Sequence, residues 1–293
     1  MISRIAPTPS GFIHIGNAFN FIFTWLLVKS NKGKLILRID DLDYKRCKSE
    51  YLNDLMQSLE WIGITWDEGP FSVSDVKKFS QHTRLDLYKD ALNELRTKNN
   101  VFACACSRSE LQDKLQYPEN CLHKTLEFSQ HAWRFITPAS MVTFYDKFQN
   151  AAKHIDLYNT MRHPIIKRRD GLPAYQIASL VDDILMQVDT IVRGIDLENS
   201  TATQLQLAEV LGKRNFSKTS FYHHPLLMGD KGLKFSKSAG SYSLKEFRKS
   251  HTKQELFKHF ANWLQIDFEG EKIEDLLIPF SKKINDSLDI TFE

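Results

Sequence analysis

The chain is poor in cysteine, with four in 293 residues, and it has no apolar run long enough to span a bilayer. Its N-terminus lacks a basic start followed by an apolar core and a small-residue cleavage site. These absences argue against a secreted disulfide framework, a membrane-spanning helix and a secretory leader. A cytoplasmic protein is expected, with no membrane partner, and three clustered cysteines then raise the question of a metal site. A strong charge excess is also missing: 39 Lys and Arg face 36 Asp and Glu. A net charge of +3 is compatible with a polyanionic partner but does not by itself argue for one. No internal repeat or low-complexity tract interrupts the chain.

What is present is an ordinary globular composition, 42% hydrophobic and 26% charged, in a chain long enough for one large α/β domain with an insertion. "ISRIA" predicts a short strand entering a Pro/Ser/Gly loop. Phe19, Ile22, Phe23, Leu26 and Leu27 then recur at helical spacing between Asn17 and about Lys29. "KLILRID" predicts a second strand, and a helical pattern runs from about Lys48 to Leu59. This βαβα order predicts a Rossmann-type parallel sheet, with nucleotide binding at the C-terminal ends of its strands.

The pattern changes between about Asn99 and Lys167, where a cysteine cluster precedes short mixed segments. The α/β pattern resumes with "PAYQIASLVDDI" (helix), "TIVRG" (strand), "STATQLQLAEVLG" (helix) and "TSFYHHPLL" (strand). The expected organisation is therefore a first half-sheet over 1–98, an insertion over 99–167, a second half-sheet over 168–228, and a loop with a helical C-terminal segment over 229–293. "KQELFKHFANWL" carries Phe and Trp at helical spacing, a pattern that more often marks core than an RNA groove.

Four motifs follow one another along this framework: "PTPSGFIHIGN", "LRIDD", "IVRGIDL" and "KFSKS". In that order they resemble the glutamyl branch of the class I aminoacyl-tRNA synthetases over roughly residues 3 to 240. "HIGN" is similar to the family's HIGH, "LILRIDDLD" to LRIEDTD, "RRDGLPAYQIASLVDD" to the segment around the substrate tyrosine, and "KFSKS" to KMSKS. Within the branch, the cysteines and the short stretch after "KFSKS" resemble the short glutamyl-queuosine tRNA(Asp) synthetases. The resemblance implies ATP-dependent glutamate activation and transfer to queuosine in the anticodon stem-loop of tRNA(Asp), by a monomer that uses Mg²⁺ with ATP. Two alternatives are a truncated glutamyl-tRNA synthetase charging tRNA(Glu), and a catalytically silent RNA- or nucleotide-binding relative.

The reaction is attack by a carboxylate on the α-phosphorus of ATP. The protein needs no nucleophile of its own, but it must align two anions and stabilise developing charge. The resemblance implies that His14, Gly16, Lys234 and Lys237 contact ATP, and that His14, Asn17 and Lys237 act in catalysis. Glutamate would be held by Arg4, Ile5, Ala6, Pro7, Thr8, Asp40, Tyr175 and Arg193. Arg4, Tyr175 and Arg193 would surround its side-chain carboxylate, while Thr8 and Asp40 would hold its amino group. Three positions depart from the branch: Asn17 replaces His, Asp40 replaces Glu, and Thr8 replaces Ser. Asn17 can still donate a hydrogen bond but carries no charge, which predicts weaker stabilisation there without its loss.

Cys104 and Cys106, with one residue between them, seldom make a disulfide but can chelate zinc together with Cys121. For a fourth ligand, zinc chemistry alone nominates His123, whereas the family likeness implies Tyr117. One structural zinc ion is expected.

Overall fold

The four-residue runs Ile2–Ile5 (β1) and Lys34–Leu37 (β2) pair in parallel, Ile2 opposite Lys34 and Ile5 opposite Leu37. Three of the four residues in each are buried, including the polar Ser3 and Arg4 of β1, as befits strands covered on both faces. The computed structural model in which they lie describes residues 1–112, 114, 116–227 and 243–288.

Beyond the strands the two chains stay side by side. The Arg38 amide donates to the Ile5 carbonyl and the Asp40 amide to the Pro7 carbonyl, each at 2.9 Å. The "APT" loop and "RIDD" are thereby held against each other at the C-terminal edge of the sheet. β8 (Thr190–Gly194) pairs in parallel with β9 (Ser220–His224), so Arg193 lies opposite His223 and Gly194 opposite His224. β8 also lies beside β1, where the Asp189 amide donates to the Ile2 carbonyl at 3.0 Å.

Residues 99–167 divide between two sheets. β3 (Val101–Cys104), β4 (Ala132–Phe135) and β7 (Ile165–Lys167) form a small antiparallel sheet in the order β3-β4-β7. The hairpin of β5 (Val142–Asp146) and β6 (Ala151–Ile155) instead extends the main layer, giving the order β6-β5-β9-β8.

The helices match the sequence periodicity closely, with one informative difference. The helix Ile15–Ser30 is buried around most of its circumference, including Phe21, Trp25 and Val28 beyond the single predicted stripe. The sheet covers one side and the C-terminal segment covers the other. Helix Lys253–Leu264 contributes Phe257, Phe260 and Leu264 to this core, and Phe280 of helix Leu277–Leu288 meets Phe23 edge to face at 5.0 Å. The aromatic stripe of "KQELFKHFANWL" is therefore core. Helix Ser49–Ile62 ends at Gly63, whose φ of +92° supplies the left-handed stop that a side chain would resist. A second core joins helices Leu85–Thr97, Tyr175–Leu185 and Glu198–Val210 to the small sheet. No described helix is long and apolar enough to cross a membrane.

Phe260 is fully buried and packs edge to face on Phe19 at 5.5 Å. Phe260→Ala should destabilise the protein by about 3–5 kcal/mol, measured by urea unfolding, because a ring-sized void cannot close in a core this dense. A loss no larger than that of a surface substitution would mean that the C-terminal helices are not part of the cooperative core.

Candidate functional site

At the C-terminal ends of β1, β2, β8 and β9 lies a cavity of about 760 Å³. Of the residues nominated from sequence, Arg4, Ala6, Pro7, Thr8, His14, Gly16, Asn17, Asp40, Tyr175 and Arg193 line it. Ile5 does not: its side chain is buried in the core beneath, and its backbone serves to hold Arg38. Lys234 and Lys237 lie outside the described residues. The flanks of their segment meet the cavity, since Leu227 lines it and the Leu244 amide donates to the Ile13 carbonyl at 2.6 Å.

One wall is a buried charge network organised by Asp183 on helix Tyr175–Leu185. A single Asp183 oxygen accepts from Arg4 Nε at 2.9 Å and from Arg38 Nη1 at 2.6 Å. Its other oxygen has no hydrogen bond and stands 3.8 Å from Arg193 Nη2. Burial opposes the charge on Asp183, yet Arg4, Arg38 and Arg193 outweigh it and hold the carboxyl below the usual range. Arg38 also grips Asp40 with two bonds, Nε to Oδ1 at 2.6 Å and Nη2 to Oδ2 at 3.1 Å. Burial dominates at Asp40 and raises its pKa despite that pairing.

Arg193 is positioned from behind. Its Nη1 donates to Thr201 Oγ1 at 3.0 Å and its Nη2 to Gln204 Oε1 at 2.6 Å. Thr201 Oγ1 is 2.8 Å from His223 Nε2, and His223 Nδ1 is 2.5 Å from the buried Asp146 Oδ2. A neutral ring that satisfies both neighbours carries its proton on Nδ1 and accepts from the threonine hydroxyl. Arg193 Nε keeps no partner. Its pKa is lowered by burial first, with the Arg4 and Arg38 charges adding to the effect. Asp182, paired with Arg84 at 2.7 Å, also stands 3.8 Å from Arg38 Nε, so four guanidiniums share three carboxylates, Asp40, Asp182 and Asp183, and the wall is one negative charge short.

The opposite wall is the start of helix Ile15–Ser30. His14 occupies the N-cap position in extended conformation and makes no side-chain cap, so the first N–H groups of the helix stand at the cavity edge beside Gly16 and Asn17. Such an end favours an anion. Tyr175 opens a second uncapped helix on the same cavity and remains 43% exposed.

Arg38, Asp183, Thr201, Gln204, His223 and Asp146 carry this arrangement without standing out in the sequence. A signal existed for two of them. Arg38 precedes Asp40 by two positions on an extended segment, which puts both on one face, and Asp183 follows Tyr175 by two helical turns.

The cysteines gather elsewhere, on the small sheet. The sulfurs of Cys104, Cys106 and Cys121 lie within 4.8 Å of one another, and Tyr117 Oη is 3.4 Å from Cys104 Sγ and 3.9 Å from Cys106 Sγ. A tetrahedral zinc–thiolate site spaces its sulfurs about 3.8 Å apart, and Cys106 and Cys121 stand at 3.6 Å. Three thiols and a phenol thus fit a zinc ion as donors. Arg134 Nε supports Cys104 from outside at 3.2 Å. His123 is exposed and is not grouped with the three sulfurs among the described metal-ligating side chains. A second grouping, Asp146, Glu198 and His223, already has its charges met, since Glu198 is 3.2 Å from Lys153 Nζ and His223 belongs to the chain behind Arg193.

Comparison with known proteins agrees with this geometry. Residues 1–272 match the family described as tRNA synthetases class I (E and Q), catalytic domain. Glutamate–tRNA ligase 2 of Syntrophus aciditrophicus (strain SB) is 33% identical over 300 residues, covering 95% of this chain and 61% of that protein. Glutamate–tRNA ligase of Anaeromyxobacter sp. (strain K) is 32% identical, covering 84% of this chain and 53% of the relative. The chain thus spans a little over half the length of these curated relatives. In fold it is similar to the glutamate–tRNA synthetase of Elizabethkingia anophelis, with a TM-score of 0.67 at 22% identity over 85% of this chain and 54% of that one. An anion-seeking cavity at the C-terminal edge of a parallel sheet and a match spanning residues 1–272 lead to one conclusion: the chain belongs to the class I (E and Q) tRNA synthetase catalytic-domain family.

Proposed function

We propose that the chain activates glutamate with ATP and transfers it to a tRNA. The observation that carries this is the wall of Arg4, Arg38 and Arg193, which is one negative charge short and leaves Arg193 Nε without a partner. A buried guanidinium in that state is matched by a carboxylate, and a glutamate side chain supplies one. Tyr175 closes the same side, while Thr8 and Asp40 receive the ammonium group. Asp40 can do so while gripped by Arg38, because each carboxylate oxygen keeps a further lone pair.

The α-carboxylate then faces the α-phosphate at the start of helix Ile15–Ser30. A carboxylate oxygen attacks phosphorus, the bond to the bridging oxygen breaks, and pyrophosphate leaves. The uncapped N–H groups, with His14 and Asn17, donate to the oxygens on which charge builds. Mg²⁺ accompanying ATP neutralises phosphate charge. Lys234 and Lys237 of "KFSKS" would act on the departing pyrophosphate. Zinc held by Cys104, Cys106, Tyr117 and Cys121 would brace the small sheet, with no part in the chemistry.

For the acceptor, the named relatives favour the 3′ end of tRNA(Glu), since both are glutamate–tRNA ligases. A second reading, transfer to queuosine in the anticodon of tRNA(Asp), is favoured by the Tyr117 hydroxyl among the three thiols, the ligand set that the short paralogues resemble.

Glutamate-dependent ATP–pyrophosphate exchange tests the proposal directly. Wild-type protein should catalyse it, and Arg193→Ala should raise the KM for glutamate by about a hundredfold while erasing its preference over glutamine. Exchange that is indifferent to glutamate would refute the assignment. Labelled glutamate offered to tRNA(Glu) and to tRNA(Asp) with and without queuosine should mark the 3′ adenosine of tRNA(Glu). Label confined to queuosine-containing tRNA(Asp) would establish the second reading instead. Elemental analysis of protein purified without chelator should return one zinc per chain, reduced by Cys121→Ser; a metal-free wild type would leave only a cluster of reduced thiols.

A further inference from the structure

The catalytic cavity opens at the C-terminal end of β9; a second cavity, of about 850 Å³, opens at its other end. It lies between the start of β5, the turn that enters β9, and the last turns of helix Glu198–Val210. Lys147, Lys213, Arg214 and Lys218 line it, facing one carboxylate, Glu209. None of these four cations makes an ion pair among the described residues, so their field is left largely uncompensated.

Gln206 also lines this cavity. It is only 5% exposed, and neither its amide nitrogen nor its amide oxygen has a hydrogen-bond partner. Most buried amides are paired, and one that keeps both donor and acceptor free is an exception that calls for a partner. The partner must offer an acceptor and a donor side by side. The edge of a nucleobase does so, as adenine does with N7 and its amino group. Tyr145, 46% exposed, also lines the cavity, and its ring is open to stacking while its hydroxyl is held by Asn150.

We propose that this cavity binds a nucleotide distinct from the one consumed in activation, with its phosphates on Lys147, Lys213, Arg214 and Lys218 and its base edge on Gln206. Four cations beside one amide and one ring suit a phosphorylated base better than an acidic peptide, whose charges would be spread along an extended chain. The nucleotide can be free or part of a bound RNA, because the recognised chemistry is the same.

Calorimetric titration separates these sources. ADP and a 5′-phosphorylated oligoadenylate are titrated into the full chain whose catalytic cavity is first filled with a non-hydrolysable glutamyl-adenylate analogue. A free nucleotide as the ligand predicts that ADP still binds; an RNA source predicts that the oligonucleotide binds at least about tenfold more tightly than ADP. In either case Gln206→Leu, and separately Arg214→Ala with Lys218→Ala, should weaken that binding about tenfold or more. Glutamate-dependent exchange should be unchanged in both variants. Arg214 and Lys218 are exposed, so the double variant remains informative if the buried substitution disturbs folding. Neither probe binding, equal binding by wild type and the double variant, or binding of an acidic peptide alone would overturn the proposal. Failure of exchange in the wild type would bear on glutamate activation and leave this outcome readable, with the probes then titrated into the unfilled chain.

Discussion

The Asp183 carboxylate is the point on which the candidate site depends. It is fully buried, and it draws together Arg4 from the end of β1, Arg38 from beyond β2, and Arg193 from β8. A buried carboxylate of this kind is strongly unfavourable alone, and so is each guanidinium, but their mutual pairing offsets the desolvation of both. The network is complete except for one charge. That incompleteness separates a binding wall from a structural salt-bridge cluster: the neighbouring Asp182 has both oxygens hydrogen-bonded, to Arg84 and the Tyr88 hydroxyl at 2.7 Å and to Gln81 at 2.9 Å, and stands 3.8 Å from Arg38 Nε.

Helix Ile15–Ser30 serves two purposes that constrain each other. Its apolar circumference fills the principal core, so its position is set by contacts from the sheet on one side and from Phe260 and Phe280 on the other. Because the helix cannot shift in that packing, its N-terminal N–H groups are held at a fixed point at the cavity edge. Preorganised donors of this kind stabilise developing charge without reorganising as the charge appears. The C-terminal helices, far along the sequence from "HIGN", therefore contribute to the site through packing alone.

Behind Arg193 the chain of Thr201, His223 and Asp146 performs a similar service by hydrogen bonding. Each member has its partner, and among the described residues the free donor at that end is Arg193 Nε. The geometry of the Arg193 guanidinium is thus decided by residues on a helix, on β9 and on β5, the last belonging to the stretch that reads in sequence as an insertion.

The elements themselves were legible from the chain. Apolar runs of strand length and apolar spacing of helical period marked β1, β2, β8, β9 and their helices, because those patterns follow from local backbone geometry and from the need to bury one face. The order of "HIGN", "LRIDD" and "IVRGIDL" also located much of the cavity lining, since in a parallel sheet the loops after successive strands share one edge. Three things were decided only by tertiary structure. The hairpin β5–β6 joined the main sheet, a pairing across some seventy positions that no local pattern encodes. Tyr117, and not His123, came to the thiols: the phenol is buried against them and the imidazole lies at the surface. Asp183 became the hub of three arginines because a charge declares its role only through what surrounds it: the same aspartate on an exposed helix face would be a solvated acid, and packing alone turns it into the anchor of a binding site.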